Sequence, residues 1–210
     1  MTSRARRLVL INAAAACTVA AGTLFWQHAQ RPHAIAFEPP DKDVCIVPPT
    51  RSRTAHAHDR ASGLGLYDAR PVPVDARCAV CGMYPSRFPR WAAQLIFDDG
   101  GAHFFDSPAD LFLMLADLEH FDAQHRTEQA VALYVSDFQG SGWLNARHAV
   151  FVVGSRIRGP MRGPDLPAFA DTSSAEAFIA EQGGRTLGFA DITPTLLATL
   201  RNQNHAHHTH

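Results

Sequence analysis

The densest sulfur in the sequence lies in Cys78-Ala79-Val80-Cys81-Gly82-Met83-Tyr84-Pro85, where two thiols stand three residues apart and a thioether follows two residues after the second. Thiols at this spacing close on one soft metal ion, form a small disulfide loop, or supply half of a structural zinc site. A thioredoxin-type redox pair sits at the first turn of a helix, whose dipole lowers a thiol pKa. Gly82 and Pro85 point to a tight knuckle instead. A closed zinc site needs four protein ligands, and the only other cysteines, Cys17 and Cys45, are poorly placed to supply them. Soft thiolate and thioether donors in low number suit Cu(I), which accepts two or three of them.

Other donors are scattered. Met161, within Gly159-Pro160-Met161-Arg162-Gly163-Pro164, is either a thioether ligand delivered from later in the chain or a methionine that fills a gap in the core. His103 and His148 read as hydrogen-bonded or exposed side chains rather than ligands, and Asp106 and Asp137 as cap and turn residues. The twelve histidines are unevenly spread. His56-Ala57-His58-Asp59 reads as a solvated polar run in a linker, whereas His205, His207, His208 and His210 crowd the end of the chain.

The elements that must position these donors lie after the knuckle. Trp91 to Phe97 is an apolar strand, Asp98-Asp99-Gly100-Gly101 a turn, and Ala102 to Phe105 a short return strand, which together predict a hairpin. A helix comes next, capped by Asp106 or Ser107, with Pro108 in its first turn, Asp110 meeting its positive end and Leu111, Leu115 and Leu118 at helical spacing; it is expected to end near His120. The order then repeats. Val131 to Ser136 and Leu144 to Val153 are strand candidates around a polar, Gly-containing turn, and Ser173 with Glu176 opens a helix that stops at Gly183-Gly184. A last strand from Arg185 to Phe189 and a short helix from about Pro194 complete the pattern. The expected fold class is α+β, with two tandem strand-strand-helix units forming one compact domain.

A chain of 210 residues with 46% hydrophobic content suffices for one domain with a real core plus appendages. A formal charge of −1 without a basic stripe argues against a nucleic-acid partner. Arg4, Arg6 and Arg7 precede 19 uncharged residues from Leu8 to Trp26, close to the ~20 that span a bilayer, and this order keeps the basic end in the cytoplasm and exports the rest of the chain. The expectation is a single-pass inner-membrane anchor over residues 1–29 with the domain facing the periplasm. Lipidation at Cys17, after Ala14-Ala15-Ala16, or ordinary cleavage and secretion are the alternatives. Residues 30–70, with five prolines and little periodicity, read as a flexible linker. Within it, an exposed Cys45 would be a liability in an oxidising compartment, which favours a patch on the core or a covalent partner. The domain is expected over residues 71–200, followed by a His-rich tail over 201–210.

Arg77-Cys78-Ala79-Val80-Cys81-Gly82-Met83-Tyr84, Trp91-Ala92-Ala93-Gln94, Phe104-Phe105-Asp106, Tyr134-Val135-Ser136-Asp137, Trp143-Leu144-Asn145-Ala146 and Gly159-Pro160-Met161 occur in this order. In this the sequence resembles the NosL-type proteins over about residues 70 to 192. That resemblance implies a periplasm-facing Cu(I)-binding accessory protein of the kind that helps to mature nitrous-oxide reductase, with a fold similar to the metal-handling domain of organomercurial lyase. Cys78 and Cys81 would be the thiolate ligands, with Met83 or Met161 as a weak third that keeps the ion exchangeable. Its partners would be a copper-receiving client enzyme or other copper-trafficking proteins, and it would turn over no substrate. One departure stands out: NosL-type proteins that serve nitrous-oxide reductase carry a Met/His pair before the block at Trp143, and here Gln139-Gly140-Ser141-Gly142 has neither. The alternative is an enzyme using the same cysteines, either a thiol-disulfide oxidoreductase or an organomercurial-lyase-like protein. A third reading is a structural module with a disulfide or zinc at the knuckle.

At the density of the terminal segment, neutral imidazoles bind borderline metals without a fold. Truncation after Arg201 is therefore expected to lower total capacity for Cu(II), Ni(II) or Zn(II) while sparing Cu(I) binding, measured by equilibrium dialysis; an unchanged capacity would leave the segment without this role.

Overall fold

Strand β1 (Ala93–Phe97) is buried at every position, so both of its faces need cover. In the computed structural model, which describes residues 54–206 apart from Ser141, that requirement organises the chain. Strand β2 (Ala102–Phe105) pairs antiparallel with β1 after a turn in which Gly100, at φ 84°, donates its N–H to Phe97 O; Ala93 faces Phe105 and Leu95 faces His103. On the other side β1 pairs with β3 (Ala130–Ser136), and β3 with β4 (Trp143–Asn145), giving the order β2-β1-β3-β4. The first hairpin matches expectation, and it positions the site.

Alternation divides β1 between two cores. Ala93, Leu95 and Phe97 face the main core with Phe105, Leu111, Met114, Leu133 and Phe151, while Ile96 joins Ala76, Ala102 and Phe104 on the opposite side. Residues 54–76 close that second side. The backbone of His56 exchanges two 2.8 Å hydrogen bonds with Ala102, and Gln94, fully buried, receives the Arg70 N–H and donates to Arg70 O. Thr54 to Arg70, which the sequence presents as part of a linker, is thus seated on the sheet. The cause is the buried outer face of β1 and β2: an uncovered Ile96–Phe104 surface would forfeit about 1.5–3 kcal/mol for each large side chain left wet.

Helix α1 (Pro108–Ala116) is capped by the Ser107 hydroxyl, which accepts from Asp110 N, with Pro108 at its first position. The single helix expected as far as His120 breaks at Asp117, and a short α2 (Leu118–Phe121) comes after it. The second half differs more from expectation. The strand predicted over Leu144–Val153 is two strands in two sheets, because Asn145 makes a turn: its side chain accepts from Arg147 N and its carbonyl from His148 N and Ala149 N. The later part, β5 (Val150–Val153), is the centre of a second sheet in the order β6-β5-β7, flanked by β6 (Ala168–Phe169) and β7 (Arg185–Leu187). The domain is α+β with two antiparallel sheets, and the expected tandem of strand-strand-helix units is corrected, since β3 and β4 extend the first sheet while β5 is the centre of the second. Helix α3 (Thr172–Gln182) is capped by Asp171 and stopped by Gly183 and Gly184, at φ 72° and 103°; it packs Ala175 and Phe178 on Trp91, Phe138, Val152 and Phe169. Helix α4 (Pro194–Ala206) lays Leu197 and Leu200 on the main core and runs into the segment read as tail. Among the described residues no helix is long and apolar enough to cross a membrane; the anchor expected over Leu8–Trp26, Cys17 and Cys45 all lie outside them.

A buried polar chain ties the turn after β1 to the segment after α2. Asp122, 1% exposed, accepts from His103 Nε2 at 2.8 Å and His125 Nδ1 at 2.7 Å, and His125 Nε2 lies 3.2 Å from Asp99 Oδ2. Both nitrogens of His125 face carboxylates, an arrangement satisfied only by the imidazolium, and its ring stacks on Phe97 at 3.8 Å. Burial opposes that charge, but the bonds to Asp122 and Asp99 prevail and raise the pKa above the usual 6.5. A raised histidine pKa stabilises the fold fully below the unfolded value and loses that contribution as pH climbs through the folded value. In chelator-containing buffer, urea unfolding should therefore show stability falling as pH rises above about 6.5, and Asp122→Asn should flatten the dependence; an equal slope in that variant would contradict the assignment.

Candidate metal centre

The knuckle is built by backbone bonds. Cys78 N donates to Met83 O and Gly82 N to Cys78 O, both at 2.9 Å, and the turn closes through Gly82 at φ 76°. Arg77 braces it from outside, donating to Gly82 O while its guanidinium lies 3.8 Å over the Tyr84 ring. Cys78 is fully buried and Cys81 partly so, and both are free thiols.

The thiols meet the junction between β2 and α1. The end of β2 delivers Asp106, fully buried, and the first turn of α1 delivers Asp110, 7% exposed. Cys78 Sγ lies 3.2 Å from Asp110 Oδ2 and Cys81 Sγ 2.9 Å from Asp106 Oδ1, so each thiol donates to its own carboxylate. One donor atom from each of the four residues lies within 4.8 Å of every other. By sequence, Asp106 reads as a cap and Asp110 as a partner for the helix end. The cap is Ser107, and both carboxylates belong to the thiol cluster. The available signal was their spacing of four residues across a helix start, directly after the apolar Phe104-Phe105.

The electrostatics of this cluster favour a cation. Burial first, and the Asp106 charge second, raise Asp110 to about 7. Burial pushes the Cys78 thiol up to about 12, and the neighbouring Cys78 thiol, with burial next, drives Cys81 upward as well. Without metal, both thiols therefore hold their protons at neutral pH. Asp106 Oδ2 is buried and finds no hydrogen-bond partner among the described residues. Leaving a buried acceptor unsatisfied costs about 1–3 kcal/mol. A cation bound among the four donors offsets that cost and the repulsion between carboxylates together, so the residues present fit a metal ion.

The predicted thioethers lie at two places. Met83 is part of the knuckle and half-buried. Met161, also half-buried, sits in a turn closed by Gly159 N to Gly163 O at 2.8 Å. That turn hangs on Asp165, whose Oδ1 accepts from Leu166 N and from Ala109 N in the first turn of α1; a side chain at Gly159 would collide with the same carboxylate. The Met161 turn is therefore fastened to the helix start that carries Asp110. Of the remaining candidates, His103 is spent on Asp122, His148 is exposed in the turn after β4, and Asp137 is a turn residue that accepts from Gln139 N.

The copper-binding lipoprotein NosL of Achromobacter cycloclastes is 33% identical over 107 residues, 44% of this chain and 54% of that protein, so the matched stretch spans about half the length of this relative. The crystal structure of the copper chaperone NosL from Shewanella denitrificans superposes with a TM-score of 0.54 at 32% identity, covering 61% of this chain and 98% of that one. The solution structure of apo-NosL from Achromobacter cycloclastes aligns at 27% identity over 50% of this chain and 87% of its own, with a TM-score of 0.37. The first two names describe a copper-binding protein and a copper chaperone rather than enzymes. The sequence profile of the NosL family matches residues 70–197, more than half of the sequence and the whole of the metal centre, and the chain belongs to the NosL family.

Proposed function

We propose that this protein is a membrane-tethered, periplasm-facing Cu(I)-binding accessory protein that passes copper to a client metalloenzyme of the nitrous-oxide-reductase type or to other copper-trafficking proteins. The observation that carries the reading is the pairing of two neighbouring thiols in a knuckle, Cys78 fully buried and Cys81 partly exposed. Copper is cargo here: Cys78 and Cys81 bind it as thiolates, and Met83 or Met161 supplies a weaker third donor. The missing Met/His pair before Trp143 leaves the third position to these methionines or to Asp106 and Asp110. A low ligand number suits transfer, because an incoming client ligand adds to the copper before a protein ligand leaves it. Membrane attachment rests on the Leu8–Trp26 run, and the word lipoprotein in the name of the Achromobacter cycloclastes relative keeps lipidation of Cys17 as the second mode of attachment.

An oxidoreductase using the same cysteines is disfavoured physically. Reactive thiols of that class are held below the free-cysteine pKa, and both thiols here are held above it.

In reduced protein, Cys78→Ser or Cys81→Ser should lower Cu(I) affinity by about two orders of magnitude or more in competition with a Cu(I) chelator, while Met83→Ala and Met161→Ala should cost less and identify the third donor. Equal affinity in the double Cys78→Ser, Cys81→Ser variant would place the copper elsewhere. The pH dependence comes from the raised thiol pKa values. Copper displaces thiol protons, so affinity should rise with pH between about 6 and 8, by about tenfold per unit for each proton released. A flat profile would mean that the ligands carry no proton in the free protein.

A further inference from the structure

A cavity of about 250 Å³ lies between the segment from Ala55 to Leu66 and the turn after β1, with His58, Arg60, Asp99, Gln124 and His125 in its wall. We propose that His125 Nε2 and the Asp99 carboxylate, in a cavity whose wall also carries His58, form a second metal site for a borderline divalent ion of the Zn(II), Ni(II) or Cu(II) class.

Three features of the geometry point to an ion. Asp99 Oδ1 accepts from Gly101 N at 2.7 Å, which fixes the carboxylate and leaves Oδ2 3.2 Å from His125 Nε2. Two donors bound to one ion at about 2.0–2.2 Å stand about 3 Å apart, so the pair is already at chelating distance. His125 Nδ1 is held by Asp122, which is itself fixed by His103 and by Gln124 N. A ligating imidazole has this support, with its second nitrogen donating to a carboxylate that sets tautomer and ring orientation. The stack on Phe97 fixes the ring plane. The divalent ion takes the position of the Nε2 proton, which leaves to solvent, while Nδ1–H stays with Asp122.

The site is looser than the cysteine centre. Among the described residues only the Cys78–Cys81–Asp106–Asp110 cluster groups three or more donors within 4.8 Å. Here two ligands are fixed, His58 Nε2 rests 3.1 Å from Leu64 O, and water completes the shell. The Arg60 charge in the same wall lowers affinity further, so the ion remains exchangeable.

The test uses the full chain carrying Cys78→Ser and Cys81→Ser together with alanine at His205, His207, His208 and His210, which isolates this site and makes the outcome independent of the copper reading. Zn(II) competition against a chromophoric chelator should show one equivalent bound, and Asp99→Ala, at a side chain 60% exposed and so compatible with folding, should weaken it at least about tenfold. In ¹⁵N spectra of the unsubstituted-Asp99 protein, Zn(II) should shift the His125 Nε2 signal and leave Nδ1 protonated. Equal Zn(II) affinity in the Asp99→Ala protein, or a His125 signal unmoved at saturating Zn(II), would overturn the proposal.

Discussion

Two thiols and two carboxylates share a space from which water is largely excluded, and that confinement sets the behaviour of the domain. Each thiol proton is donated to a carboxylate, so both sulfurs are neutral, free thiols in the metal-free site. In the proposed function a monovalent soft cation would exchange for the protons held there. Exchanging two thiol protons for one Cu(I) leaves the centre one charge more negative, and Asp110, raised to about 7, can hold a proton that offsets that charge in the interior, where an unpaired charge is costly.

The rest of the fold keeps these four groups in register. The knuckle supplies the sulfurs, the β1–β2 hairpin ends at Asp106, and the Ser107 cap turns the chain so that Asp110 returns to the same point. Asp165 then fastens the Met161 turn to the start of α1, and burial holds its own carboxyl up at about 6. At the far end of the same hairpin, the Asp122 network clamps the turn after β1 to the segment after α2. The two polar clusters thus sit at opposite ends of β1 and β2, with the aromatic core between them.

Sequence made the sulfur motif, the first hairpin, the Pro108 helix start and the Gly183-Gly184 stop legible, because each depends on neighbours within a few residues. It missed features fixed by distant contacts. The seating of Thr54 to Arg70 comes from the bare outer face of β1 and β2, which a proline-rich stretch does not reveal. The break at Asn145 comes from a turn that moves the chain between sheets, where an apolar run reads as one strand. Asp106 and Asp110 present only their local roles at a helix start, because their facing thiols lie 25 and 32 residues away in sequence.

The proposed function requires sulfur from Cys78 and Cys81 to reach one copper ion. Copper K-edge X-ray absorption of the reduced, Cu(I)-loaded full chain tests this most directly. Sulfur should dominate the first shell in the parent protein, with two thiolate contributions that disappear in the Cys78→Ser, Cys81→Ser variant. A first shell of nitrogen and oxygen alone, unchanged between the two proteins, would contradict it.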